Sequence, residues 1–219
     1  MNSLGFDKKE SDTKVIVAMS GGVDSSVAAV KLKKEGYDVT GVTLRLYNQV
    51  NTSKSKSCCA GIDINDAKKV AKQYNFSHLV LDYQEKFYDG VISNFIDSYA
   101  NGETPVPCIQ CNQTVKFTDL LEESKKLNAD ALVTGHYAIR RGGLKGSKLF
   151  KAKDTSKDQS YFLFATLQDQ LDYVRFPLGE YLKTEIRQMA EEFKLTVSDK
   201  PDSQDICFVT SDSYRDLIN

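Results

Sequence analysis

With 219 residues, 41% of them hydrophobic, the chain is long enough and apolar enough for one large α/β domain or two small ones. No run of about 18 apolar residues is present, and the stretch from Met1 to Lys14 is polar, so we expect no membrane span, signal peptide or transit peptide. The net charge of −1 does not indicate general nucleic-acid binding, and five cysteines without a secretory signal favour a reducing, cytoplasmic location.

Apolar runs and helical patterns alternate through the first 137 residues, after a polar N-terminal tail at residues 1–13. Short apolar runs predict strands, and apolar residues three and four positions apart predict helices. This alternation predicts an α/β fold, a doubly wound parallel sheet with helices on both faces, whose ligand site lies at the carboxyl ends of the strands. The predicted strands are 14–19, 39–47, 78–83 and 131–137, and the predicted helices are 23–35, 64–74, 87–99 and 117–127.

The pattern changes after residue 137, where a basic hairpin is predicted. Residues 138–141 and 149–152 form its strands around a Gly-Gly turn region, and a later helix covers 186–193. Between residues 140 and 157 seven basic side chains accompany one acid, Asp154. Charge alone favours a solvated hairpin, yet this run is also the best candidate in the chain for contact with a phosphate backbone.

The most informative segment is Ser-Gly-Gly-Val-Asp-Ser-Ser at residues 20–26, which follows the first strand and begins the first helix. Gly21 and Gly22 lack a Cβ, so the backbone turns tightly and aims successive N–H groups at one anion. The three serines add hydroxyl donors. A Walker loop needs a lysine before its Ser or Thr, and Val23 and Asp24 stand here instead. The segment therefore predicts a phosphate loop that does not transfer the γ-phosphoryl group.

Cys108 and Cys111 form a C-x-x-C in a predicted loop that two prolines stiffen. The spacing alone fits a redox pair, half of a zinc site or two buried small residues, and it does not choose among them. A zinc site needs two further ligands, and His78 and His136 stand in or at the end of predicted strands without paired ligand spacing. The other cysteines are Cys207 and the vicinal pair Cys58 and Cys59.

The loop at 20–26 resembles the pyrophosphate loop (PP-loop) of the N-type ATP pyrophosphatases, which cleave ATP between its α- and β-phosphates and adenylate a substrate oxygen. The whole set of motifs resembles the tRNA-specific 2-thiouridylases, which replace the C2 oxygen of the wobble uridine with sulfur. The resemblance implies a Rossmann-like domain of the adenine nucleotide α-hydrolase type over residues 14–209, with 210–219 as the start of a further C-terminal region. The matching segments are 20–26, 107–112, 116–117, 134–137, 157–163, 176–179 with Lys183, and 203–209.

The resemblance implies that ATP is bound around the phosphate loop and that Asp24 coordinates Mg²⁺. Adenylation converts the C2 oxygen of uracil, a poor leaving group, into AMP. The residues implied to hold ATP are Ala18, Met19, Ser20, Gly21, Gly22, Val23, Asp24, Ser25, Leu44 and Gly135.

The resemblance assigns the sulfur chemistry to two cysteines. Cys207 carries sulfur as a persulfide received from a donor protein, and Cys111 attacks that persulfide or closes a disulfide with Cys207, which releases sulfur onto the activated carbon. The wobble base of tRNA can enter such a pocket because anticodon-loop bases are single-stranded. Val106, Pro107 and Cys108 are implied to contact the target base, and His136, Lys157, Asp158 and Gln159 to contact tRNA.

Three alternatives stay open at this point. Cys108, Cys111 and Cys207 provide enough thiolates for part of an iron–sulfur cluster, which we do not favour over persulfide chemistry. Another PP-loop ligase, such as an amidotransferase synthetase, shares the phosphate loop but leaves both cysteine motifs unexplained. A truncated remnant that binds ATP and tRNA without turnover has the same recognised residues.

Overall fold

The computed structural model of the chain describes residues 1–47, 61–202 and 206–209. Within these ranges five strands form one parallel sheet in the order β3-β2-β1-β4-β7, and two more form an antiparallel hairpin. The predicted doubly wound α/β sheet is confirmed. The strands are β1 Lys14–Ala18, β2 Asp38–Arg45, β3 Ser77–Asp82, β4 Ala131–Val133, β5 Ala138–Arg141, β6 Lys148–Lys151 and β7 Val174–Arg175.

The helices fill the connections between strands, and two of them are interrupted by wide π-helical turns. Tyr88–Ile92 joins α3 to α4, and Asn112–Leu120 joins α5 to α6. None of the described helices is long and apolar enough to cross a membrane. Their bounds are α1 Val23–Glu35, α2 Gly61–Gln73, α3 Gln84–Phe87, α4 Ser93–Ala100, α5 Pro107–Cys111, α6 Leu121–Lys126, α7 Gln168–Tyr173 and α8 Lys183–Glu192.

Two hydrophobic cores lie on opposite faces of the sheet, because successive side chains of a strand point to opposite sides. Val15 and Val17 of β1 are buried in a first cluster with residues of α1 and α8. Ile16, between them, is buried in a second cluster that includes Phe95 of α4 and Cys111 of α5. The apolar run of β1 is thus explained by burial on both faces, as in other parallel sheets.

The site is positioned by the central strand, β1, which pairs in parallel with both β2 and β4. The chain therefore leaves β1 toward one side of the sheet and later returns on the other side. In open α/β sheets this reversal of strand order leaves a crevice at the carboxyl ends of the two central strands, here β1 and β4.

The basic hairpin is confirmed, but the predicted Pro/Cys loop is wrong. Pro107 is the first residue of α5, so Cys108 and Cys111 lie on a helix. Proline suits this position because its missing N–H would have no intrahelical partner and its fixed φ matches the helix. The helix predicted at 117–127 is therefore the second part of a longer helical run. The two-residue strand β7 was too short to be predicted from a pattern.

Residues 1–13, predicted as a polar tail, pack against the domain. Leu4 is buried in the first cluster, and its carbonyl oxygen accepts a 2.8 Å hydrogen bond from Arg175 Nε. The Arg175 guanidinium also donates to the carbonyls of Asp172 and Val174 and lies 4.5 Å from the centre of the Phe6 ring. Burial, with the nearby charge of Arg140, lowers the pKa of Arg175 to about 10. One buried arginine thus ties the N-terminal segment to β7.

We expect Arg175→Leu to lower the free energy of unfolding by about 3 kcal/mol, because three backbone carbonyls lose a charged donor in a mostly buried site. Urea unfolding followed by circular dichroism measures the difference. Arg141→Leu is the matched control: its side chain is 64% exposed and pairs with Glu180, so we expect a change below about 0.5 kcal/mol. Equal losses in the two variants would contradict the role given to Arg175.

Candidate active site

A cleft of about 340 Å³ lies at the carboxyl ends of β1 and β4. Its walls are the loop after β1, the first turn of α1, the segment after β4 and the start of α8. Apolar residues of β2 and the π-helical turn, among them Leu44 and Leu120, form the side that adjoins the second core cluster. Nine of the ten predicted ATP residues line it: Ala18, Met19, Ser20, Gly22, Val23, Asp24, Ser25, Leu44 and Gly135.

Gly21, the tenth, does not line the cleft and instead allows the loop to pack on α2. Its φ is +73°, and a Cβ at this position would lie 2.3 Å from the backbone oxygen of Asp63. The next residue, Gly22, is the N-cap of α1. Ser26 donates its hydroxyl to the Gly22 carbonyl at 2.8 Å and is fully buried, so it is not the phosphate donor predicted for it.

The first turn of α1 has the backbone arrangement that the predicted anion site requires. The N–H groups at the start of a helix have no intrahelical acceptor, and the helix dipole makes this end positive. Gly135, after β4, crosses directly over this turn: a Cβ on Gly135 would lie 2.9 Å from Ser25 N. Only glycine allows the two backbones to approach so closely, which places the start of α1 in the crevice between β1 and β4.

Lys183, the first residue of α8, carries a positive charge into the cleft. Asp154 accepts a 2.9 Å hydrogen bond from Lys183 N and fixes the start of the helix. The Lys183 Nζ lies 2.7 and 2.8 Å from the two carboxylate oxygens of Asp24 and 2.9 Å from Asp202 Oδ1. The Tyr137 hydroxyl donates to Asp24 Oδ1 at 2.8 Å, and burial together with the Asp24 charge raises the pKa of this tyrosine.

Asp202 is shared by three cations. Its Oδ2 lies 3.0 Å from Lys157 Nζ, and its Oδ1 accepts a 2.8 Å hydrogen bond from Arg187 in addition to the contact with Lys183. Burial alone would raise the pKa of the Asp202 carboxyl, but the hydrogen bonds from Lys183 and Lys157 outweigh it and hold the pKa at about 2. This carboxylate therefore stays charged across the physiological range.

The predicted Mg²⁺ ligand, Asp24, does not fit a resident metal ion in this arrangement. An ammonium group lies within 2.8 Å of both its oxygens and would repel a second cation. Within the described ranges, no three His, Cys, Asp or Glu side chains are grouped as a metal site requires. The iron–sulfur alternative with Cys108, Cys111 and Cys207 is therefore not assembled in this conformation.

Three of the four predicted tRNA residues, His136, Lys157 and Gln159, line the same cleft as the ATP residues. Gln159 is held there by two hydrogen bonds with the Tyr137 backbone, of 2.9 and 2.8 Å. Asp158 is not in the cleft: its carboxylate accepts bonds from the N–H groups of Ala152 and Ser160 and from the Ser160 hydroxyl. Asp158 thus stabilises the turn that places its neighbours, Lys157 and Gln159, in the cleft.

His136 sits between the rings of Phe117 and Phe176, each 6.1 Å away between ring centres. Its Nδ1 shares a 2.8 Å hydrogen bond with the Thr134 hydroxyl. Burial, and next the charge of Lys116, lower the pKa of His136 to about 3. The ring is therefore neutral, and it faces the cleft without adding a positive charge.

Cys111 and Cys207 belong to one apolar environment. Cys111 is buried in the second core cluster, and Cys207 packs against that cluster. The Tyr47 hydroxyl donates a 2.7 Å hydrogen bond to the Cys207 carbonyl, and the next residue, Phe208, contacts Phe87 and Phe95 edge to face. The same cluster includes Leu44, Leu46 and Leu120, which line the cleft. The fold thus places both cysteines in or against the apolar cluster that also forms one wall of the cleft.

The predicted target-base residues lie apart from this cleft. Val106 and Pro107 line a second, open depression of about 260 Å³ between α4 and the start of α5, while Cys108 is exposed. The vicinal pair Cys58 and Cys59 lies outside the described residues.

Four of the seven basic residues between 140 and 157 already have partners. Arg140 donates to the backbone carbonyls of Leu171 and Asp172. Arg141, Lys153 and Lys157 pair with acidic side chains of residues 180, 185 and 202. Part of the positive charge of the hairpin is thus paired or hydrogen-bonded within the domain.

Three further residues line the cleft although no role was predicted for them from the sequence: Tyr137, Lys116 and Asp202. Tyr137 and Lys116 stand inside motifs, so their segments were recognised. Asp202 has no comparable signal, because only the folded chain brings it to Lys157 and Lys183.

The model of a family described as the tRNA methyl transferase HUP domain matches residues 13–211. The chain belongs to this family. Over its whole length it is 55% identical to the tRNA-specific 2-thiouridylase MnmA of Rhodospirillum centenum and 56% identical to that of Ruegeria pomeroyi. The chain spans 56% and 59% of these two proteins, little more than half of their length. The predicted family is confirmed.

Solved structures with the same fold are more distant in sequence. NMN synthetase from Francisella tularensis is 17% identical with a TM-score of 0.54, and the alignment covers 95% of this chain and 76% of that one. A 4-thiouridine synthetase, in an RNA complex with bound ATP, is 17% identical with a TM-score of 0.51 over 90% of this chain and 45% of that one. At this identity the likeness concerns the fold alone.

We expect His136 to remain neutral down to about pH 3. Below the ordinary histidine pKa of about 6.5 the unfolded chain gains a proton that folded His136 does not, so His136 by itself lowers the free energy of unfolding by about 1.4 kcal/mol per pH unit until the pH nears 3. Burial also lowers the pKa of His78 to about 4, so the contribution of His136 is measured in a variant without His78. Histidine NMR titration and urea unfolding at several pH values measure both effects. Because the chain has two histidines, His78→Gln leaves the His136 signal alone and serves as the control. Titration of that signal near pH 6.5 would contradict the burial.

Proposed function

We propose that this chain is the catalytic domain of a tRNA 2-thiouridine synthase, a sulfurtransferase that adenylates the C2 oxygen of the wobble uridine with ATP. One observation carries the proposal: the cleft that includes the start of α1 shares a wall with the apolar cluster that contains Cys111 and against which Cys207 packs. A phosphate-binding site alone would suit any PP-loop ligase. A nearby cysteine pair is the addition that sulfur transfer needs.

In the first step the uridine O2 attacks the α-phosphorus of ATP, and pyrophosphate leaves. The N–H groups of the first turn of α1 bind phosphate oxygens, and Lys183 and Lys157 neutralise charge on the departing pyrophosphate. Mg²⁺ arrives with the nucleotide as MgATP, since the protein holds no preformed metal site of its own among the described residues. The prediction that Asp24 then contributes an oxygen to that ion is retained as part of this proposal.

In the second step sulfur replaces the adenylated oxygen. A donor protein first leaves Cys207 as a persulfide. The Cys111 thiolate attacks the Cys207 sulfur, forms a disulfide with it and releases the outer sulfur as hydrosulfide, which adds to C2 while AMP departs. The two cysteines lose the two electrons that the sulfur gains, and an external thiol then reduces the disulfide.

The substrate is proposed to be tRNA, bound through its anticodon loop. Val106, Pro107 and Cys108 beside the second depression are proposed contacts for the target base, and Lys157, Gln159 and His136 in the first cleft are proposed contacts for tRNA. Asp158 supports these contacts from behind. Lys148 and Lys151 are both exposed on β6 and are proposed to contact the phosphate backbone of tRNA.

We expect ATP to be converted to AMP and pyrophosphate in the presence of tRNA, and Asp24→Asn to slow this reaction about 100-fold, because Lys183 and the Mg²⁺ bound to the nucleotide lose a charged partner. Chromatography of the nucleotide products measures both. Glu123→Gln, which removes a charge from a surface pair with Lys126, is the control and should keep normal turnover. ADP and phosphate as main products would overturn the pyrophosphatase assignment.

We expect Cys111 and Cys207 to form a disulfide under mild oxidation when ATP and tRNA are bound, since their Cα atoms must then come within about 7 Å. Mass spectrometry of peptides identifies the pair. Cys108→Ser is the control and is expected to leave the product unchanged, because Cys108 is exposed and does not belong to the cluster. Trapping of Cys108 with Cys207 instead would reassign the sulfur relay.

A further inference from the structure

Lys183 has no hydrogen bond left for a nucleotide. An ammonium group has three N–H donors, and three carboxylate oxygens lie within 2.9 Å of Lys183 Nζ, two from Asp24 and one from Asp202. Lys157, the other lysine at this end of the cleft, also has its ammonium on Asp202. A phosphate oxygen that binds Lys183 must therefore displace a carboxylate oxygen, whereas Lys157, with one such contact, still has N–H donors for it.

Asp202 is the partner that is easier to displace. Asp24 belongs to the first turn of α1, whose backbone is fixed by the helix and by the close contact with Gly135. Asp202 lies in an irregular segment after α8 that is held by side chains. Arg187 bonds to Asp202 and to the carbonyls of Ser198 and Lys200 from outside the cleft.

We propose that Asp202 is a positioning residue that occupies a phosphate position in the nucleotide-free protein, so that nucleotide binding moves it off Lys157 and Lys183 and thereby couples the nucleotide cleft to the segment of Cys207. This inference rests on the proposed function, because it takes the ligand of the cleft to be a nucleoside triphosphate. Cys207 follows Asp202 by five positions in the chain.

The two ends of this segment differ in what holds them. Before Asp202, Lys200 bonds to the Gly21 carbonyl at 3.0 Å and to the carboxylates of Asp63 and Asp66, outside the phosphate position. After it, Cys207 is held through the Tyr47 hydroxyl. Among the described residues of this segment, 200–202 and 206–209, Asp202 is the one whose partners, Lys157 and Lys183, also suit a phosphate. Its release is expected to change the position of Cys207 while Lys200 keeps its contact with the loop of Gly21.

Asp202 and the nucleotide compete for Lys183, so removing the Asp202 charge must strengthen nucleotide binding. We expect Asp202→Asn to bind α,β-methylene-ATP with Mg²⁺ at least about fivefold more tightly than the unsubstituted chain. Arg187→Gln, which keeps every charge that lines the cleft, should shift affinity in the same direction. Glu123→Gln removes one surface charge and is the control. Calorimetry measures binding, and thermal unfolding establishes that each variant is folded.

The second measurement follows Cys207 directly, by the rate at which a maleimide labels it in each protein, with peptides identified by mass spectrometry. We expect the nucleotide analogue to raise this rate in the unsubstituted chain, and Asp202→Asn to show the raised rate without nucleotide. Binding that Asp202→Asn weakens or leaves unchanged would overturn the competition, as would a Cys207 rate insensitive to both changes. Absence of nucleotide binding in the unsubstituted chain would instead overturn the proposed function.

Discussion

The ion pair between Lys183 and the two carboxylates of Asp24 and Asp202 is the interaction on which the candidate site depends. It joins the first turn of α1, the start of α8 and the segment that leads to Cys207. Burying any one of these three charged side chains alone in the cleft would cost free energy, because a charge removed from water needs a partner. Together they satisfy one another, and the same charges make the cleft selective for a ligand that is itself strongly anionic.

The backbone shapes the candidate site in addition to the charged side chains. Gly21 and Gly135 let two segments approach the start of α1 closely enough that main-chain atoms, rather than side chains, shape the anion site. N–H groups fixed in a helix need no reorganisation when charge develops on a phosphate, which is the property that catalysis by electrostatic stabilisation requires. Leu44 and Leu120 make the cleft apolar on the side that adjoins the cluster of Cys111.

Much of this arrangement could be predicted from the sequence because it depends on local patterns. The strand before Ser20, the glycine loop and the helix at 23–35 are each encoded by a few consecutive residues, and α1 indeed covers Val23–Glu35. Asp202 could not be found in this way, since its partners stand far away in the chain. Asp158 illustrates a related point: a motif marks a residue as important without saying whether it contacts a ligand or supports a turn, and the carboxylate of Asp158 bonds to Ala152 and Ser160.

The wide turn Asn112–Leu120, directly after Cys111, adds a constraint of a different kind. Each residue of an α-helix turns the chain by about 100°, so accommodating an extra residue rotates everything beyond it by a comparable angle. Cys111, Val115 and Leu120 are all buried although they are spaced by four and then five positions, a spacing wider than an α-helix repeats. Chain length in this segment, and not only residue identity, therefore decides which side chains of α6 meet the sheet while Cys111 faces the cluster.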